Sequence, residues 1–171
     1  IVKLAVFERH KGTGHKGVGF LGGYGLKAGA VATSVAHDSH NLIVAGVSDS
    51  DMALAAEAVR KAEGGIAVVK GGTLLGNLPL PIGGLMTPMT AQAVDEKLEE
   101  LKRLAAGLGV REGIDPFMTL AFVSLPVIPA LRLNTCGLID VERQEILEVS
   151  FGETQFGNCL LYTSPSPRDG A

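Results

Sequence analysis

Alternating apolar and polar positions predict several β-strands in this chain. Residues 2–8 ("VKLAVFE") alternate in this way, and the runs "GAVATSV" and "NLIVAGV" begin at Gly29 and Asn41. The stretch 65–80 ("GIAVVKGGTLLGNLPL") indicates two short strands that form a hairpin around Gly71-Gly72. Two more strands are predicted from "GLIDV" at 137–141 and "EILEVSF" at 145–151.

Two amphipathic segments predict helices. The first begins near 48–51, where several side chains can cap a helix, and ends at Gly64. The second follows Thr90, and its apolar positions fall on one face, namely Val94, Leu98, Leu101, Ala105 and Leu108. No element is predicted for the apolar stretch 115–129, which is interrupted by Pro126 and Pro129. This order predicts an α+β fold, with a mixed β-sheet and two main helices in a single compact domain.

Composition narrows the class of protein. A chain of 171 residues that is 46% hydrophobic is suited to one domain with a sizeable core. Its 15 basic and 18 acidic residues are scattered without a basic stripe, so nucleic acid is not expected as a partner. No apolar run approaches the roughly 20 residues that a membrane helix needs, so no membrane partner is expected. With only two cysteines, no disulfide framework is expected, which favours a cytoplasmic location.

The two ends of the chain differ from its body. The sequence begins at Ile1 within a strand-like run, so we expect a fragment of a longer protein. Residues 159–169 ("CLLYTSPSPRD") have no periodicity and look like a sequencing adapter translated in frame. We therefore predict a domain at 1–158 and a non-native or disordered tail at 159–171.

A glycine motif near the start resembles a dinucleotide fingerprint in its letters only. "GVGFLG" places Gly17, Gly19 and Gly22 at the spacing of G-x-G-x-x-G. That motif binds pyrophosphate only where a strand precedes it directly and a helix begins within it. Neither pattern is found here, so the sequence predicts a tight glycine loop instead.

A polar cluster lies at 34–41 ("SVAHDSHN"), where His37, Asp38, His40 and Asn41 occur within five positions. His10, at the end of the first predicted strand, joins His37 and His40 as a candidate metal ligand. Imidazoles and carboxylates together can bind a divalent metal or act as general acid and base. A polar turn between two strands explains the same letters, and the spacing alone leaves both interpretations open.

The apolar segment 78–86 ("LPLPIGGLM") contains prolines and glycines that disfavour a regular helix or a central strand. Such a segment either covers the core of its own domain or packs against a neighbouring domain. The candidate interface residues are Leu78, Pro79, Leu80, Pro81, Ile82 and Leu85.

Several segments together resemble one known family. In order along residues 2–150 they are "KLAVFERH", "GVGFLGGYGLKAGAVATSVAHDSHNLIVAGVSDSDMALA", "GGIAVVKGG", "LPLPIGGLM" and "DPFMTLAFVSLPVIPALRLNTCGLIDV". They resemble the C-terminal domain of bacterial adenine deaminases, which belong to the amidohydrolase superfamily.

This resemblance implies a parent hydrolase that converts adenine and water to hypoxanthine and ammonia in purine salvage. It implies a preceding (β/α)₈ barrel in which manganese or iron activates water for attack on C6 of the purine. The barrel's ligand set begins with a His-x-His motif, and this sequence has none. The chain alone is therefore expected to be inactive. The partners implied are adenine, the missing N-terminal barrel and further copies in a homo-oligomer.

Within such a parent enzyme, one hypothesis places the polar cluster near the mouth of the barrel's active site, because polar side chains are concentrated there in a domain otherwise built from aliphatic residues and glycine. His37, Asp38, His40 and Asn41 would then complete or cover that site. Two alternatives remain, which are a purely structural or oligomerisation module and an accessory metal site within the domain itself.

Overall fold

Among the residues that the structure describes, seven strands form one sheet and three form another. The computed structural model describes residues 1–147 and the backbone of residues 160–162. The strands are β1 (Val2–Phe7), β2 (Lys16–Gly22), β3 (Ala30–Thr33), β4 (Leu42–Gly46), β5 (Gly65–Lys70), β6 (Thr73–Pro79), β7 (Leu131–Asn134), β8 (Gly137–Asp140), β9 (Glu145–Leu147) and β10 (Leu160–Tyr162). The helices are α1 (Asp49–Lys61), α2 (Ala91–Gly107) and α3 (Pro116–Val123).

The larger sheet has the strand order β10-β2-β1-β4-β3-β5-β6, and the smaller sheet has the order β7-β8-β9. β10 pairs with β2 in parallel, and the other pairs are antiparallel. The predicted α+β class with a mixed sheet is thus confirmed. Both predicted hairpin strands are present as β5 and β6, joined at Gly71-Gly72.

Side chains of the central strands alternate between two cores. On β4, Ile43 and Ala45 belong to the larger core, whereas Leu42 and Val44 belong to the smaller one. α1 covers the smaller core, and α2, α3 and the three-stranded sheet cover the larger one. Burial on both faces explains why these strands are almost uninterrupted apolar runs.

α1 begins and ends as the sequence predicts. Ser48 caps its N-terminus by accepting a hydrogen bond from the Asp51 N–H. The buried Asp51 carboxylate in turn accepts the N–H groups of Gly71 and Gly72, and these bonds lower the pKa of Asp51. The helix is thereby fixed to the tip of the β5–β6 hairpin.

α2 also matches its prediction, whereas the sequence pattern does not predict α3. Thr90 caps α2, whose Leu101 and Ala105 are fully buried. Both the buried and the solvent-facing sides of α3 carry apolar residues, so it lacks the amphipathic pattern by which α1 and α2 are recognised. Its start is nevertheless encoded, because the Asp115 side chain caps the helix and Pro116 occupies its first turn.

The prediction of a glycine loop at "GVGFLG" is wrong, because these residues form most of strand β2. Gly17 and Gly19 are buried beneath β7, where a side chain at Gly17 would overlap the carbonyl of Asn134. Gly17 is needed for this close packing of the two sheets, and the sequence motif alone does not reveal that packing.

The chain ends are described only in part. β9 confirms the first three residues of the predicted strand 145–151, and the remainder lies outside the described residues. Most of the predicted tail at 159–171 also lies outside them, and the backbone of Leu160–Tyr162 forms β10. The domain boundary at 158 stays a prediction. Among the described residues, no helix is both long and apolar enough to cross a membrane.

Candidate functional site

Three separate segments meet at one edge of the larger sheet. Phe7, the last residue of β1, pairs with Leu42, the first residue of β4. Gly65, the first residue of β5, pairs with Pro79, the last residue of β6. Antiparallel pairing therefore brings the end of β1, the β3–β4 turn and the segment after β6 to the same edge. We call this region the histidine edge; it comprises residues 8–10, 34–41 and 80–86.

Arg9 joins all three segments. Its Nε donates to the carbonyl of His40 at 2.5 Å, and a terminal nitrogen donates to the carbonyl of Gly83 at 2.8 Å. Gly84 makes room for the guanidinium, which a side chain at that position would overlap. The sequence pattern points to His10, next to Arg9, and does not reveal Arg9 itself. Its bonds to two distant carbonyl groups leave no local sequence pattern.

Ser34 makes a second, buried link. Its hydroxyl donates to the carbonyl of Gly84 at 2.6 Å and accepts the N–H of Gly65 at 2.7 Å. The side chain is fully buried, so these bonds replace contacts with water. Together with Arg9, Ser34 holds the segment 80–86 against the β3–β4 turn.

His40 is occupied by the turn itself. Its Nδ1 accepts the N–H of Ala36 at 3.2 Å, and its own backbone N–H donates to the Ala36 carbonyl. The neutral ring must therefore carry its proton on Nε2. Burial, followed by the nearby His37 and Arg9, lowers the pKa of His40 and favours this neutral form.

His37 is held in place through its backbone, and its ring makes no hydrogen bond within the described part of the chain. Its N–H donates to the Ala121 carbonyl at 2.9 Å, and its carbonyl accepts the Ser124 hydroxyl at 3.2 Å. The ring packs against Phe122 with the ring centres 4.9 Å apart and lies edge-on to His40 at 5.5 Å. Both ring nitrogens of His37 are thus available for an external partner.

The other two predicted residues of the turn differ in exposure. Asp38 is exposed, whereas Asn41 is buried and donates from Nδ2 to the Ser39 hydroxyl at 3.1 Å. Within the described residues, the buried Oδ1 of Asn41 has no donor. An unpaired acceptor of this kind costs about 1–3 kcal/mol unless a donor reaches it.

Glu8 organises the loop that carries His10. Its carboxylate accepts the backbone N–H groups of Thr13, Lys11 and His10, and these bonds lower the pKa of Glu8 to about 2. The fold of this loop brings Nε2 of His10 to 2.6 Å from the carbonyl of Ser39, where the ring nitrogen donates. His10 therefore reaches the same turn as His37 and His40.

The lowered pKa of Glu8 predicts that the structure of this loop depends on pH. The pKa of Glu8 in the folded chain is about 2, below the ordinary 4.5. The stability that the charged carboxylate gives to the loop is therefore complete above pH 4.5 and is lost as the pH falls toward 2. NMR titration of the side-chain carboxyl should give a midpoint near 2, together with shifts of the Lys11 and Thr13 amide signals. In Glu8→Gln these shifts should be absent. A midpoint above 4 would contradict the loop geometry.

The histidine edge does not fit a resident metal ion. A ligating imidazole must offer a lone pair, and His40 has none to offer, because its Nδ1 accepts the Ala36 N–H and its Nε2 carries the proton. His10 donates from Nε2 to the Ser39 carbonyl, so only its Nδ1 could bind a metal. In the part of the chain that the structure describes, no three His, Cys, Asp or Glu side chains are grouped to hold a metal. His10, His37 and His40 thus do not assemble a metal site of their own here, and the metal expected for the parent stays an expectation about its barrel.

The predicted interface segment divides into buried and exposed residues. Leu78 and Leu80 are buried in the larger core, whereas Pro81, Ile82 and Leu85 are exposed. The buried residues support the interpretation that the segment covers the core of its own domain. The exposed residues support the interpretation that it packs against a neighbouring domain. An interface role for the exposed residues stays a prediction.

Comparison with known proteins relates this chain to one family. The model of the adenine deaminase C-terminal domain family matches residues 1–145. The chain is 57% identical over 150 residues to adenine deaminase 2 of Carboxydothermus hydrogenoformans, covering 88% of this chain and 26% of that protein. It is 52% identical over 142 residues to an adenine deaminase of Nitratidesulfovibrio vulgaris, covering 82% of this chain and 25% of that protein.

A third relative, an adenine deaminase of Geobacillus kaustophilus, is 46% identical over 149 residues, covering 87% of this chain and 26% of that protein. The chain thus spans about a quarter of the length of the curated relatives it matches. Since the family match covers most of the chain, this protein belongs to the adenine deaminase C-terminal domain family.

Proposed function

We propose that the parent of this chain is a metal-dependent adenine deaminase, in which the histidine edge completes or covers the active site of a preceding amidohydrolase barrel. The observation that carries this proposal is the His37 ring, which is fixed in position yet unused by its own domain. Side chains that serve only the fold are bonded within it, as His40 and Arg9 are. A restrained but unoccupied imidazole is suited to a substrate or to a group in the barrel.

The chemistry of the parent follows from the names of the relatives and from the family resemblance. Adenine and water would give hypoxanthine and ammonia in purine salvage, in the cytoplasm, with manganese or iron held by the barrel. The part that this domain would contribute is a shaped and partly apolar cover, which excludes water and orients groups at the mouth of the site.

The proposal is tested by comparing the full-length parent with the 171-residue chain. Hypoxanthine formation from adenine is expected for the metal-loaded parent and not for this chain. Among the described residues of this chain, no three His, Cys, Asp or Glu side chains are grouped to hold a metal ion. Measurable hypoxanthine formation by the purified chain would contradict the assignment of the catalytic centre to the preceding barrel. A parent that does not deaminate adenine would contradict the proposed activity.

A second candidate function is a structural or oligomerisation module. It is favoured by the exposed apolar side chains near the histidine edge, among them Ile82, Met86 and Phe122. Under this hypothesis, substitutions of the histidines would leave turnover unchanged, and deletion of the domain would leave an insoluble or dissociated barrel.

A further inference from the structure

Exposed apolar side chains lie within the histidine edge and beside it. Such residues are ordinarily isolated on a protein surface, so a group of them marks a contact site. We call this group the apolar face; it comprises Ile82, Leu85, Met86, Met118 and Phe122, each at least 39% exposed. Two of the five are methionines, whose flexible side chains adapt to an opposing surface.

The members of the apolar face are neighbours in space although they come from two separate segments. Ile82 and Met86 are joined by paired backbone hydrogen bonds in a turn that also contains Leu85. Leu85 and Met118 line one groove of about 250 Å³ between the sheet, α2 and α3. Phe122, one helical turn after Met118, packs against His37. The apolar face therefore adjoins the unused imidazole.

Elsewhere the helices present charge to solvent. α1 carries the pair Glu57–Arg60, and α2 carries Lys97–Glu100 and Glu99–Lys102. Val47, at the opposite edge of the sheet, is exposed to 46%, similar to Met118 at 45%. It adjoins neither the histidine edge nor the groove beside Met118, so it provides a matched control position.

The length of the relatives indicates what covers the apolar face. This chain aligns with only 26% of the 57% identical relative, so about three quarters of that polypeptide lies outside the match. A domain joined by the same chain is present at a high effective concentration, on the order of millimolar, which favours it over a separate second copy. Docking at this face would also bring His37 to the covering domain.

We infer that the apolar face is the surface on which the catalytic barrel of the same polypeptide docks, with His37 facing the junction. The inference rests on the proposed function, because it takes the covering domain to be the barrel of the parent enzyme. It adds which residues form the contact and assigns Met118 and Met86 to the junction. Arg9 and Ser34 then act as positioning residues, since they shape the segment that carries three of the five residues of the face.

Hydrogen exchange of the backbone amides tests the inference in the full-length parent against the 171-residue chain. Amides at 82–86 and 118–122 are expected to exchange at least about tenfold more slowly in the parent, whereas those around Val47 should not change. Equal exchange in the two proteins would overturn the inference. Protection that increases with protein concentration would assign the face to a second copy and would also overturn it.

A pair of charge substitutions tests the same contact without relying on the isolated chain. In the full-length parent, Met118→Glu should remove the protection at 82–86 and lower the melting temperature by several degrees. Val47→Glu, at a position of matched exposure, should do neither. The same effect from both variants, or from neither, would overturn the inference.

Adenine deamination measured on the same preparations separates the two proposals. Normal turnover by a parent whose apolar face is unprotected overturns the docking inference and leaves the proposed activity intact. A protected apolar face in a parent that does not deaminate adenine overturns the proposed activity, and the docking then holds for a barrel of different chemistry.

Discussion

Replacing His37 by alanine in the full-length parent is expected to lower kcat/KM for adenine by about a hundredfold, the effect of removing a group that orients the reacting parts. The melting temperature should change little, because the His37 ring makes no hydrogen bond within the described residues and the backbone bonds of the residue are retained. Steady-state kinetics and thermal unfolding on the same variant measure the two effects.

His40→Ala is the matched control, because it removes an imidazole three positions away. This variant leaves the Ala36 N–H without its side-chain acceptor, so a loss of about 1–2 kcal/mol in the free energy of unfolding is expected. Turnover should fall together with stability. If His37→Ala instead leaves kcat/KM unchanged, the polar turn is structural, and the role at the active-site mouth is wrong.

Replacing Gly65 by alanine is expected to prevent stable folding of the 171-residue chain. A side chain at this position would overlap the carbonyl oxygen of Leu78, and the backbone has a φ of +134°, which is favourable only for glycine. Gly65 also donates its N–H to Ser34, so any shift disturbs the buried link to the histidine edge. A loss of at least about 4 kcal/mol is comparable to the whole stability of a small domain.

Gly107→Ala provides the control for Gly65→Ala. Gly107 is the last residue of α2 and has open space at the position of a side chain. Alanine is the better helix former, so the variant should match the original chain or gain up to about 1 kcal/mol. Urea unfolding followed by circular dichroism compares the two variants. A Gly65→Ala chain with an unchanged midpoint would contradict the packing of β5 against β6.

The sequence predicts those elements whose signals are local. The Ser48 and Thr90 caps and the apolar spacing of α2 define both main helices, and Gly71-Gly72 defines the hairpin. β2 and α3 are missed because neither shows the local pattern expected of its element. Gly17 makes room for the backbone of β7, and α3 is apolar on both its buried and its solvent-facing side.

The candidate site is predictable to a similar extent. The grouping of His37, His40 and Asn41 follows from the sequence, because these residues occupy one turn between two strands. The difference in hydrogen bonding between the two histidine rings does not follow from it, because it depends on which ring nitrogen the Ala36 N–H reaches. Arg9 was missed because its partners lie 31 and 74 positions further along the chain.

The long-range bonds of Arg9 have a consequence for the order of folding. A contact between residues 74 positions apart forms only after the intervening chain has been ordered, because closing such a long loop costs entropy. The histidine edge should therefore be among the last regions to form during synthesis of the protein. If the histidine edge covers the active site as proposed, a parent whose C-terminal quarter is still unfolded would lack that cover, and its activity would then report that the whole polypeptide is complete.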